Sequence, residues 1–267
     1  MGYFIELATL FGIVFIHELG HIAAAKGLGW RIKEVQFLPF GGVAEVEEQG
    51  TVSAWEEIFV AIAGPIQNFV MIGLAFVMQY FGIWDNEWGA YFIQANVIIG
   101  LFNLIPIFPL DGGKIMVAIS SLMLNYRFTV TYCTWLSLVM SVLIIAVSLY
   151  RFQSNGIQLN LLMIGLFLLY ANIYHLKNIP YHYIRFLMNR QLRNSKMIEK
   201  GYVAQPIIVK DSQKIAEVVH LFMREKHHLI YVLNDSGLIQ NALTEQQIIK
   251  RYFTKNKRMS AVSELFM

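Results

Sequence analysis

Three residues in one short stretch have the types and spacing to do chemistry together. They are His17, Glu18 and His21, in Phe15-Ile16-His17-Glu18-Leu19-Gly20-His21. On a helix, positions i and i+4 lie on one face, so His17 and His21 can aim two imidazoles at one ion. Glu18 is turned about 100° from His17. That puts it beside a metal rather than on it, where it can take a proton from a water molecule. The flanking residues are almost all apolar, as in a membrane span.

A catalytic zinc site takes about three protein ligands and keeps a position open. The third ligand must come from outside the H-E-x-x-H stretch. Cys133 is the single cysteine, so no cysteine metal site and no intrachain disulfide can form. The histidines at 175, 182, 220, 227 and 228 lie at or beyond the last apolar run. Glu6 lies about 16 Å before His17 along a helix axis, toward the outer interface. Asp111 remains, at the end of a proline-broken stretch and ahead of two glycines that allow close backbone approach. A carboxylate ligand also neutralises part of the metal charge in a low-dielectric setting.

Each residue also has a plainer explanation. In a soluble helix, H-E-x-x-H alone is a weak pattern, and Pro109-Leu110-Asp111-Gly112 is good turn chemistry. Asn68 reads first as a polar contact between helices, and Asn103 as that or as a donor to a substrate backbone. Membrane depth weighs against idle residues at positions 17, 18 and 21. A charged side chain at the centre of a membrane helix costs on the order of 2.5–3.5 kcal/mol without a partner.

The elements that must position these groups are apolar helices. The chain is 56% hydrophobic and 15% charged, against about 25% charged in soluble domains. Apolar runs predict five spans, at 3–28, 57–83, 91–108, 128–150 and 157–175. The third ends in Asn103-Leu104-Ile105-Pro106-Ile107-Phe108-Pro109-Leu110-Asp111, where the prolines predict irregular backbone. Such backbone at membrane depth is tolerated only inside protein or along a wet cavity. A short helix from Lys114 to about Asn125 follows.

Residues 1–175 carry 6 Lys/Arg against 11 Asp/Glu, and residues 176–267 carry 15 against 7. The positive-inside bias then puts the N-terminus outside and the basic tail in the cytoplasm, with Arg151 as a single violation. Nucleic-acid binding is the weaker reading of that tail, because acids are interspersed and no recognition motif is present.

Residues 31–48 alternate around Phe40-Gly41-Gly42 and predict a hairpin at the membrane surface. Its free edge can pair with an extended peptide, or it is an ordinary loop hairpin. Residues 176–202 hold an amphipathic linker helix. Residues 203–267 predict a small α/β module, with strands at 207–209, 229–233 and 238–243 and helices at 214–224 and 244–253. The expected organisation is therefore a membrane domain at 1–175, the linker, and the module.

Taken together and in order, His17-Glu18-Leu19-Gly20-His21, Ala63-Gly64-Pro65 with Asn68, and Asn103…Pro106…Leu110-Asp111-Gly112 resemble the three signature motifs of the site-2 intramembrane metalloproteases. Trp30-Arg31-Ile32-Lys33, Leu38-Pro39-Phe40-Gly41-Gly42, Glu45-Val46-Glu47-Glu48 and Pro109-Leu110-Asp111-Gly112-Gly113-Lys114 resemble the sporulation branch of that family, and residues 203–266 resemble a CBS domain. The fold implied is an α-helical polytopic membrane protein with a site-2 protease core, a membrane-associated hairpin and a C-terminal CBS domain.

The resemblance implies zinc on His17, His21 and Asp111, Glu18 as general base, and substrate held by Asn103, Pro109, Phe40, Gly41 and Gly42. It implies a pro-sigma-K-like substrate, inhibitory membrane partner proteins, and a cytoplasmic C-terminal domain on the mother-cell side of the forespore outer membrane. CBS pairing implies a homo-oligomer, and ATP near Thr244 would be its nucleotide. Two departures stand out. The family pattern has a further membrane helix before the first span, and Gln247 stands where an Asp usually follows Thr244. The competing expectation is a membrane metal transporter or sensor with a regulatory CBS module. The last two spans offer only uncharged hydroxyls for such a path, among them Thr129, Thr134, Ser137 and Ser141.

Overall fold

Helices form over the apolar runs and end where a proline or a polar turn stops them. The computed structural model describes residues 2–30, 32–38, 41–46, 52–150, 159–198, 203–254 and 258–266. Helix α1 (Gly2–Gly27) carries the H-E-x-x-H stretch. Strands β1 (Ile32–Leu38) and β2 (Gly41–Val46) pair antiparallel, with Leu38 opposite Gly41 and Phe37 opposite Gly42. The two glycines therefore belong to the second strand rather than to the turn. Phe40 lies outside the described residues.

Helix α2 (Ala54–Tyr80) starts at Ser53, whose side chain accepts the Glu56 amide at 3.2 Å. Glu56 and Glu57 in its first turn suit the positive end of the helix dipole. Helices α3 (Asn86–Asn103), α4 (Asp111–Met123), α5 (Tyr126–Tyr150) and α6 (Leu159–Ile198) follow.

Among the described residues, four stretches are long and apolar enough to cross a membrane: Phe4–Gly27, Ala54–Tyr80, Tyr126–Tyr150 and Leu159–Arg190. The stretch expected as a further span at 91–108 is α3, which is 18 residues long and includes Asn86, Glu87, Gln94 and Asn96. It stops at Asn103, because Pro106 and Pro109 lack the amide hydrogen that helix continuation needs. The expected break between the last span and the linker is absent. One 40-residue helix runs through both, with Pro180 inside it, and a change from apolar to amphipathic composition does not by itself end a helix.

The chain divides into two compact units, residues 1–118 with 133–176, and residues 119–132 with 177–267. In the first, Ile13 of α1, Met71 of α2 and Ala95 of α3 form one buried cluster. Ile107 and Leu110, from the broken stretch, are buried with Leu168 of α6. That stretch is irregular as expected, and both polar backbone groups of Phe108 are met by side chains. Its N–H donates to Ser137 Oγ at 3.1 Å, and its carbonyl accepts from Asn172 Nδ2 at 2.6 Å. The Phe108 ring stacks on His175 with centroids 4.5 Å apart, and the Phe108–Pro109 bond is cis.

In the second unit, β3 (Ala204–Lys210), β4 (His227–Leu233) and β5 (Ile239–Thr244) form a sheet in that order, parallel then antiparallel. Helices α7 (Ile215–His220) and α8 (Glu245–Phe253) complete its core with Val218, Val219, Ile248 and Ile249. The expected elements are present, with β3 longer and α7 shorter than the composition indicated. The N-terminal end of α5 and the C-terminal part of α6 belong to this unit: Tyr126 stacks on Phe186 at 4.2 Å, and the Tyr183 hydroxyl donates to the Val219 carbonyl at 2.7 Å.

Candidate metal centre

Helix periodicity places His17 and His21 on one face of α1, and both are buried at 2% and 6% exposure. Asp111, at the first turn of α4 and 4% exposed, meets them. Its Oδ2 lies 3.1 Å from His17 Nε2 and 3.0 Å from His21 Nε2, and the two Nε2 atoms are 3.2 Å apart. Glu18 is buried too, and its carboxylate lies within 4.8 Å of ligating nitrogens on both histidines. His17, Glu18, His21 and Asp111 thus stand together in the structure.

The other ring nitrogens point away from this cluster. His21 Nδ1 lies 2.7 Å from the Val60 carbonyl, which can only accept, so Nδ1 carries the proton and Nε2 presents a lone pair. His17 Nδ1 faces Asn68 Oδ1 at 2.6 Å, with the same consequence. Two lone pairs and a carboxylate oxygen thus converge, which calls for shared protons or a metal ion between them. Ligands about 2.0–2.1 Å from tetrahedral zinc stand roughly 3.3 Å apart. The three observed separations match one face of that tetrahedron, so the residues fit zinc.

Glycines make the approach possible. A Cβ on Gly64 would lie 2.7 Å from His17 Nε2 and overlap His21 Nε2. A Cβ on Gly20 would lie 2.7 Å from the Ala63 carbonyl, so the glycine of the H-E-x-x-H stretch lets α1 and α2 close on one another.

Sequence reasoning missed Lys114, whose Nζ sits 3.0 Å from Asp111 Oδ1 and leaves Oδ2 to face the histidines. The signal was the i, i+3 spacing of opposite charges at the start of a helix. Asn68 is the contact between helices that the sequence indicated, since its Oδ1 meets His17 of α1 and its Nδ2 donates to Asn96 of α3; that one of its partners is His17 was not legible. Nothing in the sequence marked the Val60 carbonyl, because every residue has one.

The expected substrate residues lie on different elements. Asn103 ends α3, half-buried, and its Nδ2 donates to the Ile99 carbonyl of its own helix at 3.1 Å. Pro109 lies in the irregular stretch two residues before Asp111. Gly41 and Gly42 contribute backbone to β2. Thr244 belongs to the second unit, where its hydroxyl caps α8 by accepting from the Gln247 amide in a capping box.

Comparison with known proteins bears on this cluster directly. The pattern of peptidase family M50 matches residues 5–87, which include the H-E-x-x-H stretch and Gly64. Stage IV sporulation protein FB of Bacillus subtilis is 32% identical over 278 residues, covering 100% of this chain and 90% of that protein. A zinc metalloprotease of Methanocaldococcus jannaschii is 40% identical over 120 residues, 44% of this chain and 34% of that protein. In fold, the site-2 protease from Methanocaldococcus jannaschii matches with a TM-score of 0.53 at 27% identity, over 63% of this chain and 76% of that one.

Proposed function

Since this chain belongs to peptidase family M50, the site-2 zinc metalloproteases of membranes, we propose that His17, His21 and Asp111 hold its zinc and that Glu18 is its general base. The observation that carries this reading is the convergence of His17 Nε2, His21 Nε2 and Asp111 Oδ2 within 3.0–3.2 Å of one another. Membership in a peptidase family sets aside the transporter or sensor reading.

Zinc bound there supplies a Lewis acid and brings the pKa of water down to about 7. The chain's own groups do the rest. Lys114 orients Asp111. Val60 and Asn68 hold the imidazoles with their Nε2 lone pairs inward. Glu18 takes the proton of the attacking water and returns it to the departing amine nitrogen. A helical substrate hides its carbonyls, so it must be drawn out before cleavage. An edge of the β1–β2 hairpin, with Asn103 and Pro109, is the surface proposed to hold it extended.

The substrate proposed is a membrane-associated pro-protein of the pro-sigma-K kind, cleaved during sporulation, and the partners proposed are membrane proteins that hold the protease silent. Likeness to the sporulation protein along the full chain supports it. The topology with the basic C-terminal part in the cytoplasm follows from charge bias. The reading of residues 203–267 as a CBS module that pairs between copies and takes ATP near Thr244 rests on sequence resemblance alone.

The test is co-expression of the full chain with pro-sigma-K, scored for shortening of the substrate, alongside zinc content of the purified protein. Glu18→Gln is expected to keep zinc and lose cleavage, and Asp111→Ala to lose both. Cleavage by Glu18→Gln at the wild-type rate would overturn the mechanism. Cleavage of other membrane substrates but not of pro-sigma-K would overturn only the substrate.

A further inference from the structure

Two asparagines lie buried between α2 and α3, Asn68 at 1% exposure and Asn96 at 0%. Unpaired amides are costly at such a place, so their hydrogen bonds have a definite direction. The direction starts at a backbone group that cannot be reversed. The Phe92 carbonyl can only accept, and Asn96 Nδ2 donates to it at 2.9 Å. That turns Asn96 Oδ1 toward Asn68, whose Nδ2 donates to it at 3.1 Å. With its nitrogen committed, Asn68 presents Oδ1 to His17 Nδ1 at 2.6 Å.

Resting on the zinc reading above, we propose that Asn96 is a positioning residue of the metal centre, fixing through Asn68 which nitrogen of His17 carries the proton. An amide oxygen facing Nδ1 puts the proton on Nδ1 and leaves the Nε2 lone pair for the ion. If the Asn68 amide were turned over, its NH₂ would face Nδ1. The proton would then sit on Nε2, and a hydrogen rather than a lone pair would point at the ligand cluster. His21 needs no such relay, because the Val60 carbonyl meets its Nδ1 directly. The relay gives His17 the same fixed polarity, starting from a backbone carbonyl on α3 two side chains away.

The experiment measures the zinc affinity of the full chain in detergent, by competition with a chromophoric chelator. Four proteins are compared: wild type, Asn96→Leu, Asn68→Asp and the double variant. Asp111→Ala serves as the control for the zinc site itself. Asn96→Leu is expected to weaken zinc binding by about 10- to 100-fold, the usual effect of losing an outer partner of a ligand.

In Asn68→Asp both carboxylate oxygens accept and neither orientation can present a donor to His17, so its own affinity is the reference for that background. There Asn96→Leu should not weaken zinc binding further. Loss of the same size in both backgrounds would mean that Asn96 only supports the helix packing, and would overturn the proposal. So would wild-type affinity in Asn96→Leu. Both of those outcomes leave the zinc reading standing. That reading falls, and the relay with it, if Asp111→Ala binds zinc as tightly as wild type or if wild type binds none.

Discussion

Gly64 lies so close to the two imidazoles that its missing side chain is part of the ligand geometry. A methyl group there would overlap His21 Nε2 and sit 2.7 Å from His17 Nε2. The imidazoles cannot retreat, because their far nitrogens are tied to Val60 and Asn68. Gly64→Ala is therefore expected to displace the ligands by a fraction of an ångström or more, with cleavage falling about 100-fold or further and zinc content falling with it. Gly73→Ala, on the same helix with nothing within 4 Å of its Cβ, is the matched control and should keep both. Zinc content and cleavage of the two purified variants decide the matter. At this scale the sequence showed the groups whose chemistry is rare at membrane depth: His17, Glu18, His21 and Asp111. It did not show the roles of Asn68, Asn96, Lys114 or the Val60 carbonyl. An amide or a carbonyl is ordinary in a helix, and its role depends on which face of a neighbouring helix it meets.

The broken stretch between α3 and α4 acts as one element in carrying Asp111 to α1. Its irregularity was legible, because two prolines within four residues cannot sit in a helix interior. How it is held was not legible, since Ser137 and Asn172 come from helices far along the chain. They satisfy the N–H and carbonyl of Phe108, three residues before Asp111. The glycines after Asp111 bring the start of α4 against the same stretch: a Cβ on Gly113 would lie 2.7 Å from the Ile107 carbonyl. Replacing Asn172 with Leu removes the donor and leaves the Phe108 carbonyl short of a partner. The expected cost is about 1–3 kcal/mol of stability. Cleavage should fall further than that loss of folded protein explains, because Asp111 is displaced. Thermal unfolding in detergent, with specific activity per folded molecule, separates the two effects. Equal activity per folded molecule would show that the clamp matters to stability alone. The joining of the last span to the linker in one helix was invisible to composition for the opposite reason. Composition changed at residue 176, and Pro180, which cannot donate to the carbonyl of residue 176, marked a stop that the helix does not make.

At the scale of the molecule, the division into two units cuts across helices rather than between them. The start of α5 and the end of α6 share a unit with the three-stranded sheet. Sequence alone could delimit the sheet from its short apolar runs, but not its helical partners, which are recruited by packing. The central polar contact of that unit is Arg190 on α6, which pairs with the fully buried Glu245 of α8 at 2.6 and 2.7 Å. Arg190 also donates to the carbonyls of Met223 and Lys226, and Glu245 takes the backbone and ring of His228 at 2.6 and 2.7 Å. Burial by itself would raise the Glu245 carboxyl. The hydrogen bonds from His228 and Arg190 and the Arg190 charge overcome it and hold the pKa down at about 2, against an ordinary 4.5. A carboxyl depressed in the folded state adds stability that is complete above its unfolded pKa and disappears as pH falls through the folded one. The contribution of Glu245 should thus be intact at pH 7 and decline between about pH 4.5 and 2. Removing the charge by Glu245→Gln leaves Arg190 buried without its counter-ion, at a cost of about 3–5 kcal/mol. Hydrogen exchange of residues 227–253 in the full chain, corrected for intrinsic rates, reads both effects. Wild type should lose protection from pH 5 to pH 3. Glu245→Gln should start less protected and change less over the same interval. Parallel pH responses in the two proteins would show that some other group sets the acid sensitivity of this unit.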